Sequence, residues 1–268
     1  PAEVNTGACC GLPTTALKTK MTAPLIRLIT VDITNTMIRV IGSPGKHYAI
    51  VAKRYGINAD DAALTGSFLR HYKEYCGKYP NFGASVDMSA YKWWNGLVFD
   101  TFHTIGVKDE EIMAKVAKDL YHYYATKIAW ELLPGTLEAL QELQKFDVKI
   151  GVISNYDHRL YKVLKEMDLR KYFDFVLPSY VVGAEKPDPL IFQRALEDAN
   201  VKAEEAVHFG DNIEKDFIGA RNAGFVAFLL ETKGVNHNFL DDRFVVRTVG
   251  EFVQAISPYL LLRENSST

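Results

Sequence analysis

The chain has 268 residues, of which 48% are hydrophobic and 24% charged, and a formal net charge of −2. That is enough length and apolar content for a full core with a smaller second unit. The near-neutral balance excludes the basic footprint of a nucleic-acid binder or of a protein held on an anionic membrane.

Residues 1–21 are small, polar and turn-forming, lack the apolar stretch of a secretory signal, and are expected to form a disordered leader. Cys9, Cys10 and Cys76 are odd in number and have neither framework nor zinc-like spacing. That favours a reducing, intracellular setting, the cytoplasm first, over a disulfide scaffold. The apolar run at residues 24–31 is interrupted by Arg27 and falls far short of the about 20 residues that span a bilayer.

Residues 26–32 (IRLITVD) read as a buried parallel strand ending in a polar turn. The stretch 42–126 carries no strand pattern. It has helical periodicity at 47–55, 62–75, 88–103 and 110–124, separated by turn clusters at 56–58, 79–83 (YPNFG) and Gly106. We read it as a helical bundle inserted after the first strand. Its aromatic residues, Trp93, Trp94, Phe99, Phe102, Tyr121, Tyr123 and Tyr124, are expected to be packing rather than a ligand box. Further strands are expected at 149–154, 174–177, 206–210 and 226–230, alternating with helices at 134–145, 158–167, 189–199 and 213–223. Pro134 marks a helix start, Asp157 an N-cap and Gly224 a helix end. Alternation of this kind gives right-handed βαβ units on a parallel sheet. The expected fold is therefore α/β: a Rossmann-like parallel sheet flanked by helices, built from residues 22–41 plus 127–268, with a helical cap at 42–126. The polar tail, 263–268, is expected to fray.

Ligands of open parallel sheets bind beyond the carboxyl ends of the strands. Asp32 and Thr34 follow the first strand, Ser154 and Asn155 close the second, Lys186 lies in EKPDP after the third, and Asp211 and Asp216 follow the fourth in GDNIEKD. Singly, each suits a turn, a cap or a solvated charge. If they converge, three carboxylates in a partly dry pocket must take up protons or find cations. Lys186 supplies one charge, and Mg²⁺, a hard ion with oxygen ligands at about 2.0–2.1 Å, would supply two more. Such a site draws in a phosphate ester. Asp32 could then attack its phosphorus while Ser154 and Lys186 hold the phosphoryl oxygens.

In this order and spacing the residues resemble the four motifs of the haloacid dehalogenase superfamily: VDITNT, GVISN, Lys186 in EKPDP, and GDNIEKD. The resemblance runs from about residue 26 to 262, and YPNFG, WW, SNYDHRL and AEKPDPLIFQRA narrow it to one branch. It implies a Rossmann-like core, a helical cap after the first motif, Mg²⁺ as cofactor and a small phosphorylated metabolite as partner, with no nucleic acid or membrane. It further implies Asp32 as nucleophile, and Asp32, the Thr34 carbonyl, Asp211 and Asp216 around the metal. Ser154, Asn155 and Lys186 fall at the phosphate, and Thr36 fills a turn position that capping alone also explains. One departure stands out: phosphatases of the superfamily usually carry an acid/base Asp where this chain has Thr34. A hydroxyl cannot trade protons with water at neutral pH as a carboxylate does, a loss of roughly 10²–10⁴-fold. Two alternatives stay open: a non-catalytic or very slow binding protein, motivated by Thr34, and a metal-free 2-haloacid dehalogenase, which the acidic pair argues against. Tyr156, His158 and YPNFG are candidates for facing the substrate.

Overall fold

The computed structural model describes residues 25–233, 236–237 and 240–264. The expected leader at 1–21, with Cys9 and Cys10, lies outside the described residues, as do positions 265–268 of the tail.

The chain enters through β1 (Leu28–Val31) and leaves the core along β2 (Ile38–Val40). It then forms α1 (Pro44–Lys53), α2 (Asp61–Lys78), α3 (Ala90–Thr104) and α4 (Glu110–Tyr123) before returning along β3 (Trp130–Leu132), antiparallel to β2. Each of these four helices starts at a residue whose side-chain oxygen takes a backbone N–H of the first turn: Ser43, Asp60, Ser89 and Asp109. After β3 come α5 (Thr136–Leu143), β4 (Lys149–Ser154), α6 (Leu160–Glu166), β5 (Phe175–Pro178), α7 (Ser179–Val182) and α8 (Pro189–Ala199). The chain closes with β6 (Ala206–Gly210), α9 (Gly219–Asn222), β7 (Val226–Leu230), β8 (Val245–Val246) and α10 (Val249–Ile256).

The main sheet has the order β5-β4-β1-β6-β7-β8, with every pair parallel. Both faces are buried, which is why its strands are nearly continuous apolar runs. Ile29, Val31, Ile150, Val152, Val207 and Phe209 pack on one side with α5, α6 and α10. Leu28, Ile153, Ala206, Ala227 and Leu229 pack on the other with α8 and α9. The inserted helices carry their own clusters, one around Tyr48, Phe102 and Met113 and another around Phe82, Trp93 and Leu97. Among the described residues no helix is long and apolar enough to cross a membrane.

The sheet meets the expected α/β class, and β4, β6 and β7 fall on the expected residues. Among the described elements, β2, β3, β8, α7 and α10 were not anticipated. The three strands are two or three residues long, too short for alternation to register. The expected helix at 213–223 is instead a π-helical turn (Ile213–Ile218) running into α9. Asp157 does not cap α6 directly. It is fully buried, accepts the Arg159 N–H at 2.8 Å and pairs with the Arg159 guanidinium at 2.6 Å.

Candidate active site

Asp32 leaves β1 with its N–H donated to the Phe209 carbonyl of β6, so the strand pairing itself holds its side chain at the carboxyl edge of the sheet. Lys186 reaches that edge from the loop between α7 and α8. Its ammonium donates to Asp32 Oδ1 at 2.8 Å, to Asp216 Oδ1 at 2.6 Å and to the Ile153 carbonyl at 2.7 Å. The lysine loop is pinned in turn by Asn155, whose side-chain amide donates to the Lys186 carbonyl and accepts the Lys186 N–H, both at 2.8 Å. Ser154 is buried at the end of β4.

Asp216 arrives by the π-helical turn, a form common at functional sites because its wider spacing re-aims one side chain. Asp216 Oδ2 accepts the Asn212 N–H at 3.0 Å, and Oδ1 faces His208 Nε2 at 3.2 Å as well as Lys186. The turn fits because residue 210 is glycine: a Cβ there would sit 2.2 Å from Asp216 Cγ. His208 faces the same side of the sheet as Thr30, whose hydroxyl lies 2.8 Å from His208 Nδ1. This buried Thr30–His208–Asp216 chain was not anticipated. The one signal for it was a histidine inside an otherwise apolar strand, AVHFG. Thr36 is also fully buried, and its hydroxyl donates to Asp211 Oδ1 at 3.4 Å rather than capping a helix.

Carboxylate oxygens of Asp32, Asp211 and Asp216 all lie within 4.8 Å of one another. Burial raises the Asp32 carboxyl above its usual range, with Lys186 pulling it down and Asp216 pushing it up. Burial, then repulsion from Asp32 and Asp216, pushes Asp211 up to about 7. Burial opposes ionisation of Asp216 too, but Lys186 and His208 outweigh it and hold that carboxyl well below the ordinary range. Burial lowers His208, so its ring is neutral at pH 7. Three acids thus face one ammonium, and the least compensated of them, Asp211, is the most exposed.

A cavity of about 270 Å³ opens from Thr34 and Asn155 toward the inserted helices. Phe68, Tyr72, Phe82, Trp94, Tyr124 and Tyr156 are among its walls. Tyr156 and Phe82 of YPNFG therefore face the cavity. His158 does not line it; it is exposed, with Nε2 3.2 Å from the Tyr121 hydroxyl. Of the aromatic residues expected only to pack, Trp93 and Phe102 are fully buried, whereas Trp94 and Tyr124 line the cavity. Two adjacent tryptophans sit about 100° apart around a helix, so one faces its core and the other a neighbouring space.

A family model described as haloacid dehalogenase-like hydrolase matches residues 26–224. The chain is 37% identical over 205 residues to haloacid dehalogenase-like hydrolase domain-containing protein 3 of Bos taurus, covering 76% of this chain and 82% of that one. Its fold is shared with a 2-haloacid dehalogenase of Pseudomonas syringae pv. Tomato DC3000, with a TM-score of 0.62, 21% identity, and 88% of this chain and 100% of that one covered. It is shared also with a HAD phosphatase of Thermococcus onnurineus, with a TM-score of 0.58, 23% identity, and 86% and 98% covered.

Proposed function

The chain belongs to the haloacid dehalogenase-like hydrolase family, and we propose that within it the protein is a Mg²⁺-dependent phosphatase of a small phosphorylated metabolite, acting through an aspartyl-phosphate on Asp32. The observation that carries this reading is the acidic cluster. Three carboxylates within 4.8 Å, all ionised, would leave two negative charges after Lys186 is counted, and the repulsion shows in Asp211, pushed up to about 7. An all-oxygen donor set with excess negative charge suits a hard divalent cation. Asp32, Asp211 and the Thr34 backbone carbonyl would hold it. Asp216 already spends three acceptor positions on Lys186, His208 and Asn212, which fits an orienting part better than a direct ligand. When bound, Mg²⁺ would neutralise phosphoryl charge and align the ester.

The chain's own residues divide the remaining work. Asp32, paired with the Lys186 ammonium, attacks phosphorus as its carboxylate; the P–O bond to the alcohol breaks and the alkoxide leaves, taking a proton from water. Ser154 and Lys186 stabilise the charge on the transferred phosphoryl group. Asn155 acts by holding the lysine loop, since both ends of its amide are committed to Lys186. Thr34 lines the mouth of the cavity where an acid/base carboxylate would stand. Water attack on the aspartyl-phosphate is then unassisted and slow. The inserted helices act as a cap that keeps bulk water from the ester. The acidic cluster favours this reading over dehalogenation, because departure of a halide gains nothing from a bound dication.

The test is Asp32→Asn with a generic aryl phosphate and Mg²⁺. Loss of at least about 10³-fold in kcat is expected for removal of a covalent nucleophile. Unchanged turnover would remove Asp32 from the mechanism, and chloride release from chloroacetate in EDTA would favour the dehalogenase instead.

A further inference from the structure

The cavity beyond Thr34 is built for a particular leaving group. Phe68, Tyr72, Phe82, Trp94, Trp130 and Tyr156 supply aromatic surface along it. The rings support one another, with Phe82 stacked on Trp94 at 5.9 Å between centroids and Tyr72 tilted against Trp94 at 6.1 Å. Arg159 also lines the cavity, but its charge is spent. It is bidentate to the buried Asp157, donates to the Tyr121 carbonyl, and lies over the Trp94 ring at 4.9 Å. A sugar alcohol entering here would strand several hydroxyls against rings, and an anionic group would find no free cation among the described residues that line it.

The size sets a second limit. About 270 Å³ lies at or below the low end of the roughly 300–1,000 Å³ of ordinary small-molecule sites. A space of that size suits one flat ring system.

Resting on the phosphatase reading above, we infer that the substrate is the phosphate monoester of a small, uncharged aromatic alcohol whose ring stacks in this cavity. The ring sits close to the phosphorus, because the cavity begins at Thr34 and Asn155, next in the chain to the nucleophile turn and to Ser154. A short arm of one or two carbons therefore suffices.

The test uses the full chain with Mg²⁺ and esters of ordinary alcohols: benzyl phosphate, 3-hydroxybenzyl phosphate and glucose 6-phosphate. The kcat/KM for the two benzyl esters should exceed that for glucose 6-phosphate by at least about a hundredfold. Equal or faster hydrolysis of glucose 6-phosphate overturns the inference while leaving the phosphatase reading intact. Ligand-observed NMR with 3-hydroxybenzyl alcohol and with glycerol reads the cavity without any chemistry. Binding of the first alone supports the cavity's preference for an aromatic ring; if no ester is then turned over, the phosphatase reading fails and the ester falls with it. Failure of the aromatic alcohol to bind, or equal binding of glycerol, overturns the inference.

Discussion

Replacing Lys186 with methionine keeps the length and apolar stem of the side chain and removes only its charge. In the wild type that ammonium is almost wholly buried and holds two carboxylates, Asp32 at 2.8 Å and Asp216 at 2.6 Å, plus the Ile153 carbonyl. Removing one partner of a buried ion pair typically costs about 3–5 kcal/mol, because the other charge stays in low dielectric without compensation. Here two carboxylates are left facing each other, so the upper half of that range is expected in metal-free buffer at pH 7.5. For a chain of this size the loss lowers Tm by roughly 8–20 °C. The pH dependence carries the sign. Without the lysine, the Asp32 pKa, already raised by burial, climbs further and Asp216 loses the main partner that holds it low, so the variant keeps its stability below about pH 4 and loses more of it than the wild type as pH rises through the raised values. The gap between variant and wild type should therefore widen from pH 5 to pH 8. Urea unfolding in EDTA at those two pH values measures it. A gap under about 1 kcal/mol at pH 7.5, or one independent of pH, would show that Lys186 does not compensate these acids.

Asp211, pushed up to about 7, should make Mg²⁺ affinity pH-dependent: roughly one molecule in ten has it ionised at pH 6 and nine in ten at pH 8, so titration calorimetry should show about tenfold tighter binding at the higher pH. Since that pKa is raised, the metal-free protein should also lose stability as pH climbs from about 4 toward 7, and saturating Mg²⁺ should reverse the loss. Thr34→Asp, by supplying the missing acid/base, should raise kcat about 10²-fold and shrink the acid-quench burst of aspartyl-phosphate; an unchanged kcat would place the slow step elsewhere. Gly210→Ala sets a methyl 2.2 Å from Asp216 Cγ and should cost about 1–3 kcal/mol while weakening Mg²⁺ binding, read by thermal melts and calorimetry.

Most residues of the acidic site were legible before any coordinates, because Asp32, Ser154 and Asp211 lie at strand ends, which the alternation of apolar runs and helical periods marks best. Lys186, in the loop between α7 and α8, was legible from its motif EKPDP instead. Thr30 and His208 were not legible in the same way. They sit inside strands, and only the parallel pairing that sets Thr30 opposite His208 puts a threonine hydroxyl on the imidazole. Asp157 reads locally as a cap, yet it is tied to Trp94 Nε1 at 2.8 Å across 63 residues of chain. No local pattern contains that contact.

The sequence by itself determined the layers: which segments are buried on both faces, which are helical, and which polar residues stand where the strands stop. Those follow from short-range periodicity and burial, properties each segment carries alone. The tertiary structure decided the distances among carboxylates, the π-helical turn that aims Asp216, and the division of the aromatic residues between core and cavity wall. Such features depend on how separate segments meet, and the energy of a charge or a ring is set by its neighbours in space rather than in the chain.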